Sequence, residues 1–273
     1  MTFRIITNCG PAEAYIVRCI DSIRAQSDGD FTAHVTVDPC GDATVARALG
    51  AAAGDPRFDV VANARRLYAM HNLVRGIARS GCDPDDVIVI LDGDDCFATP
   101  DALAIIRDAY ARHDCWMTYG SWIADPVELG DVEAHCHGRW PAYPDDTADF
   151  RNGFWLGTAV RTFKRWLWER IDDADLRDDD GEYFRIVEDQ ACMMPMLEMA
   201  TTRRAKHIPD VLMRYNRANP HNVGRIMADE MRATAARIRA RTPYAPIHSA
   251  PFQNIYSLRQ ERRSRGHKLE GIK

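Results

Sequence analysis

The run Val87-Ile88-Val89-Ile90-Leu91, followed at once by Asp92-Gly93-Asp94-Asp95, constrains this chain more than any other segment. The apolar part is mostly β-branched and has no polar position. It reads as a strand buried on both faces, the pattern of a central strand in a parallel sheet. The carboxylates then fall at the carboxyl end of that strand, where open α/β sheets place their ligands. Carboxylates this close repel one another at neutral pH. A cation relieves the repulsion, and hard divalent ions such as Mg2+ or Mn2+ take oxygen ligands. The same tetrapeptide also suits a solvated turn, because Asp and Gly favour turns. Thr99 and Pro100 follow as a candidate N-cap and first helical residue, which favours an ordered strand-to-helix loop.

Around this segment, strand and helix patterns alternate. Residues 3–8, 31–37, 58–61 and 116–119 read as strands. Residues 13–26, 44–53, 67–80 and 101–113 carry helical periodicity. That order predicts an α/β fold, a twisted and mostly parallel sheet with helices on both faces. Residues 123–150, rich in Asp, Pro and Gly, read as a long surface excursion. Thr162–Ile171 is expected to be a helix, with Trp166 and Trp168 on different faces. One Trp is expected in the core, and the other is available to an acceptor or a lipid interface. An acidic loop at 172–181 precedes a Met-rich helix at 187–200, bent or restarted at Pro195. A late strand at 211–215, an Ala/Arg helix at 225–241 and a disordered tail from Arg262 complete the reading.

The 273 residues are 46% hydrophobic, enough for a sizeable core. No stretch reaches the roughly 18 apolar residues of a membrane span. The first residues lack a signal-peptide pattern, so a cytoplasmic protein is expected. Eight Cys are scattered without a Cys-x-x-Cys pair, which suits reduced, mostly buried thiols. His135-Cys136-His137 has no second ligand cluster nearby in sequence that would complete a zinc site. The net charge of −5 is uneven. From Arg203 onward there are 16 Lys+Arg and 5 Asp+Glu, leaving residues 1–202 at −16. The basic part either meets an anionic partner or docks on the acidic body by charge complementarity.

Several segments, in order, resemble the glycosyltransferase family 2 enzymes, which have the GT-A fold. Ile5-Ile6-Thr7-Asn8-Cys9-Gly10 is similar to their opening strand and loop. Cys19-Ile20-Asp21-Ser22-Ile23-Arg24-Ala25-Gln26 is similar to their first helix. Val35-Thr36-Val37-Asp38 resembles their second strand, although Pro39-Cys40-Gly41-Asp42 replaces the usual Asp-Asp-Gly-Ser. Met70-His71-Asn72 stands where the family has Ala-Arg-Asn. Asp92-Gly93-Asp94-Asp95 resembles the metal motif and Glu188-Asp189 the Glu-Asp pair. Tyr215 to Asn222 resembles a closing segment of a subset.

The resemblance implies a metal-dependent, inverting transfer of a sugar from a nucleotide-sugar donor, foremost a UDP-sugar. Asp189 would be the base, with Glu188 next. Thr7, Asn8, Asp38, Asn72 and Asp92 would contact the donor. Asp94, with Asp95 or Asp92, would hold Mn2+ or Mg2+. His221 is a third ligand or phosphate contact, or a plain loop histidine. Arg217 and Arg225 are phosphate clamps or surface arginines. Residues 151–158 would lie under the acceptor, with Gly157 beside Trp155, which stacks on a ring or fills the core. The acceptor would be a saccharide, a lipid-linked saccharide or, through the basic C-terminal part, nucleic acid. A non-catalytic nucleotide-sugar-binding module is the rival reading. Residues 1–224 would form the transferase domain, divided into a nucleotide-sugar half (1–122) and an acceptor half (123–224). Residues 225–273 would be a basic helical extension, a dimer contact or a clamp on its own domain.

Overall fold

A computed structural model describes residues 1–125 and 149–251. Its first part is a regular β-α alternation. Strands β1 (Phe3–Cys9), β2 (Phe31–Val37), β3 (Phe58–Ala62) and β4 (Val87–Ile90) are separated by α1 (Ile16–Arg24), α2 (Thr44–Ala52) and α3 (Tyr68–Arg79). These four strands run parallel, with Ile5 of β1 beside both Ala33 of β2 and Val89 of β4. The apolar run of β4 is explained by this position. Ile88 and Ile90 enter the core cluster on one face of the sheet, and Val87 and Val89 enter the cluster on the other.

The rest of the chain widens the sheet. It supplies β5 (Cys96–Phe97), α4 (Ala102–His113), β6 (Met117–Asp125), β7 (Arg161–Lys164), α5 (Arg165–Trp168), α6 (Glu188–Arg204), β8 (Ala205–Asn216), α7 (Val223–Ile226) and α8 (Ala228–Arg239). Among the described residues the eight strands form one sheet in the order β3-β2-β1-β4-β7-β6-β8-β5. Only β7 and β5 oppose the common direction. The mostly parallel α/β sheet expected from the sequence is therefore present.

Three local expectations need correction. Thr162–Ile171 is not one helix. Arg161–Lys164 is a strand inserted between β4 and β6, and only Arg165–Trp168 is helical. Of the two tryptophans, Trp166 is buried in the core as expected for one of them, and Trp168 is partly buried. Trp166 packs edge-on against Trp116, and Trp168 stacks on Phe163. The Met-rich helix runs through Pro195 and breaks instead at Thr201, whose φ is 53°. Every residue from Ala191 to Thr201 is buried, so packing on all sides holds the helix across the proline. The helix after Pro100 begins at Ala102. Thr99 still accepts from the Asp101 amide at 3.2 Å, two residues ahead of the observed cap position at Asp101.

Within its buried stretch, Ala191 to Thr201, helix α6 carries one charged residue, Glu198. Arg151 pairs with both of its carboxylate oxygens and donates from Nη1 to the Ile238 carbonyl at 2.6 Å. The Tyr244 amide donates to Glu198 Oε2 at 2.9 Å. Beyond α8 the chain returns over the body, and the Ile247 amide donates to Met199 O at 2.8 Å. Arg239 donates to Gln190 and to the carbonyls of Arg151 and Gly153. Arg241 donates to Asp175 and to the carbonyls of Ala174 and Arg177. The arginines at the end of α8 are thus docked on the body.

Among the described residues seven cysteines are free, and all but Cys40 are buried. The His135-Cys136-His137 triplet and the tail from Arg262 lie outside the described residues, as does nearly all of the 123–150 excursion. No helix among the described residues is long and apolar enough to cross a membrane.

Candidate active site

A cleft of about 340 Å³ opens at the carboxyl ends of β1, β2 and β4. The start of antiparallel β7, the first turn of α6 and the segment after β8 complete its walls. This edge of the sheet is where parallel strands leave their loops, as the acidic turn implied.

The acidic turn is held tightly. The Gly93 amide donates to the Asn8 carbonyl at 2.9 Å, tying the turn to β1. A Cβ on Gly93 would lie 2.5 Å from Cys9 Sγ, so only glycine lets the two loops close. The three carboxylates then diverge. Asp95 is buried and accepts from the Asn216 amide at 2.7 Å, joining the turn to the end of β8. Asp94 accepts from Asn219 Nδ2 at 2.8 Å, and the same amide group reaches the Pro11 carbonyl. Asp92 faces Arg161 across the cleft. Burial raises all three carboxyl pKa values. Asp92 rises to about 6 with added repulsion from Asp94 and Asp189, against the pull of Arg161. Asp95 is pushed well up by burial and by its two neighbours. Burial raises Asp94 too, while its Asn219 bond opposes the rise. The turn is short of positive charge.

Opposite stand Glu188 and Asp189, in the first turn of α6, where the helix dipole favours carboxylates. Asp189 Oδ2 accepts from Trp155 Nε1 at 2.9 Å and from Arg161 Nη2 at 3.4 Å. Arg161 also reaches the Gly157 carbonyl with Nε at 3.3 Å. Its guanidinium therefore sits among Asp92, Glu188 and Asp189. Glu188 has its pKa pushed up to about 8 by burial, and then by the Asp189 and Asp92 charges.

On the other wall, Asp38 accepts from Asn63 Nδ2 and from the amides of Leu67 and Tyr68, which fixes the start of α3. Asn63 also donates to Asn72 Oδ1 at 2.8 Å. The Asn8 side-chain oxygen is buried at the cleft with no hydrogen-bond partner. A buried acceptor in this state favours a ligand donor.

Of the residues expected from the sequence, Asn8, Asp38, Asn72, Asp92, Asp94, Asp95, Glu188, Asp189 and His221 line this one cleft. Thr7 does not. Side chains alternate along β1, and Thr7 is wholly buried behind Asn8. Arg217 does not line it either: its amide continues β8 onto the Asp125 carbonyl, while Tyr215 before it and Asn219 after it do line the cleft. The side chain of Arg225 lies outside the described residues. Trp155 neither lines the cleft nor is fully buried. It packs on the core cluster and bonds Asp189 from behind, with its ring 2.7 Å from where a Gly157 Cβ would stand.

Sequence reasoning missed Arg161, Arg66, Tyr68, Arg185 and Asn219, all of which line the cleft. Asn219 lay inside the matched closing segment. Arg161 is the first residue of the strand misread as helix, so no helical pattern pointed to the cleft.

The described residues contain no group of three or more His, Cys, Asp or Glu side chains able to hold a metal by themselves. Asp92 and Asp94 still fit one. Mg2+-like ions are commonly bound through one or two carboxylates plus substrate phosphates and water, and these two carboxylates lack a full complement of cations.

The family model described as glycosyl transferase family 2 matches residues 5–165, more than half of the chain. No curated protein matches. Among solved structures, the fold is similar to Staphylococcus aureus TarS 1–349 in complex with UDP. The TM-score is 0.62 at 14% identity, over 88% of this chain and 64% of that one. This chain thus spans under two thirds of the TarS fragment. It is also similar to glucosyl-3-phosphoglycerate synthase from Mycobacterium tuberculosis in complex with Mg2+ and UDP, with a TM-score of 0.60 at 14% identity, over 88% of this chain and 80% of that one. A third similar structure is the mannosyltransferase PcManGT from Pyrobaculum calidifontis with GDP-Man and Mn2+, with a TM-score of 0.56 at 16% identity, over 93% and 67%. With its GT-A sheet and its matched residues, the chain belongs to glycosyl transferase family 2, a family of enzymes.

Proposed function

We propose that this chain transfers a sugar from a nucleoside-diphosphate donor to an acceptor hydroxyl, with inversion at the anomeric carbon. One observation carries the reading. The cation-poor carboxylates Asp92 and Asp94 and the buttressed carboxylate Asp189 open onto one cleft, with Arg161 between them. The neighbours solved with UDP or GDP-Man and with Mg2+ or Mn2+ support the same donor class.

Asp94 and Asp92 would hold Mn2+ or Mg2+, with His221 at the rim as a third ligand or phosphate contact. When bound, the cation would neutralise charge on the leaving diphosphate. Asn8 and Asp38 would face the nucleoside. Asp189 would take the acceptor hydroxyl proton as that oxygen bonds the anomeric carbon and the carbon–diphosphate oxygen bond breaks. Trp155 and Arg161 hold the Asp189 carboxylate in one orientation, and Arg161 keeps a cation beside it. Burial, and then the Asp189 and Asp92 charges, push the Glu188 pKa up and favour its protonated form, which leaves Asp189 the better placed base.

Acceptance of nucleic acid through the basic C-terminal helix draws no support from α8. Its terminal arginines bind Gln190 and backbone carbonyls, and Arg241 beyond it binds Asp175. This favours the clamp reading.

The test is calorimetric titration of UDP, GDP, CDP and dTDP, with and without Mn2+, on wild type and Asp94→Ala. One nucleotide should bind in a metal-dependent way and lose that dependence in the variant. Absence of any nucleotide binding to folded wild type would overturn the donor reading.

A further inference from the structure

Among the described residues most arginines face a carboxylate, as Arg4 does Asp86, Arg107 does Asp28 and Arg204 does Asp114. Four arginines near the cleft mouth do not. Arg65, Arg66, Arg75 and Arg185 have no carboxylate partner among the described residues. All four are exposed. They also converge. Arg66 and Arg185 lie over the Tyr68 ring, at 4.7 and 5.4 Å from its centroid. Tyr68 and His71 are one turn apart on α3, and His71 packs on Tyr183 at 4.9 Å. Burial, and then the Arg75, Arg65 and Arg177 charges, hold His71 below the usual histidine range. Arg66, Tyr68 and Arg185 line the catalytic cleft, while Arg65, His71 and Arg75 line a second hollow of about 350 Å³. Arg65 and Arg66 just before α3, Arg75 on it and Arg185 just before α6 therefore form a strip of guanidinium groups from the cleft to this hollow. Arg185 brings the strip to within four residues of Asp189.

We propose that this strip is the acceptor-binding surface, and that the acceptor is a saccharide bearing carboxylate or phosphate groups. The proposal rests on the glycosyltransferase reading and adds the acceptor's chemical class. Guanidinium forks match carboxylates and phosphates in a bidentate way. Like charges left this close and unpaired are a standing repulsion that an anionic ligand relieves. A nucleic-acid strand fits less well, because single strands are held by bases stacked on open aromatic faces. Here Tyr68 is covered by Arg66 and Arg185, and Tyr183 by Arg177 at 3.8 Å and by His71. A neutral saccharide would leave the four cations unanswered.

The test uses the full chain and four fluorescent probes: hexagalacturonate, a phosphorylated maltohexaose, neutral maltohexaose and the oligonucleotide dT6. Anisotropy is read on wild type, Arg65→Glu/Arg75→Glu and the milder Arg65→Gln/Arg75→Gln. Neither arginine lines the donor cleft, so binding of the preferred nucleotide with Mn2+ is measured in parallel and should stay within about twofold. At least one anionic saccharide should bind wild type at least tenfold tighter than maltohexaose and dT6. That preference should fall by tenfold or more in the Glu pair and partly in the Gln pair, and the better probe separates carboxylate from phosphate. Equal binding of maltohexaose, dominance of dT6, no anionic binding, or no change in either pair would overturn the proposal. Failure of wild type to bind any nucleotide would instead overturn the donor reading, whatever the saccharide probes do.

Discussion

The indole Nε1 of Trp155 donates to the Asp189 carboxylate at 2.9 Å, and the same ring lies over Gly157. One aromatic side chain therefore both orients the proposed base and closes the wall behind it. Replacing Trp155 by Phe keeps the packing and removes the bond. Loss of a charge-assisted bond of about 1.5 kcal/mol should lower kcat roughly tenfold. Donor affinity should stay unchanged. Asp189→Asn should lower kcat by about 10²–10⁴, the range for general-base catalysis. Steady-state kinetics with the preferred donor checks both. Equal losses in KM and kcat for Trp155→Phe would point to a binding role instead.

Gly93→Ala should destabilise the protein by about 2 kcal/mol, because the new methyl meets Cys9 Sγ and forces the loops apart. Cys9→Ala should return only part of this, since the Cys9 Cβ would remain 2.7 Å from the new methyl. Urea unfolding of the two single variants and the double variant reads the coupling.

Glu188 makes stability depend on pH in a defined direction. Its folded pKa of about 8 lies above the usual glutamate value of 4.5, so the folded state holds the proton more tightly. Its contribution is complete below about pH 4.5 and is lost as pH rises through about 8. Glu188→Gln escapes that loss. The variant should gain on wild type across this window, by on the order of 3 kcal/mol in the absence of ligand. Thermal unfolding at pH 5, 7 and 9 checks the sign. A gap that narrows with rising pH would show that Glu188 is ionised in the folded protein at neutral pH.

The Arg151–Glu198 pair is buried on both sides. Breaking it from one side, as in Arg151→Met, should cost about 3–5 kcal/mol because a carboxylate is left in the core. The double variant Arg151→Met/Glu198→Met should recover most of the loss, since an apolar pair of similar volume often replaces a buried ion pair without penalty. Chemical denaturation of the three variants decides between charge and packing as the cause.

The first half of the fold was legible because β1 to β4 lie in the middle of a two-faced sheet. There strands read as apolar runs, and their loops sort themselves to one edge. Asp92 and Asp94 could be named for the same reason, since they follow the end of a buried strand, whereas Asp189 was named through the resemblance of Glu188-Asp189. The second half obeys tertiary demands that local pattern does not carry. Arg161–Lys164 is a strand because β4 and β6 leave a gap for it, although its neighbours Trp166 and Leu167 suggest a helix. Pro195 does not break α6 because the helix is enclosed on every side. Arg66, Arg161 and Arg185 come from three separated segments. Only the folded sheet brings them to one cleft.

The cover over Glu198 has a consequence for the order in which the protein is made. Arg151 leaves the ribosome before α6, but Ile238, Tyr244 and Ile247 leave well after it. Between those moments the nascent chain exposes a helix whose native surroundings do not yet exist. Domains are completed as units during synthesis, and uncovered apolar surface in that interval is what chaperones recognise. The cover over this part of the core is therefore complete only once residue 247 has emerged, and translation speed over α8 and the segment after it sets how long the core waits.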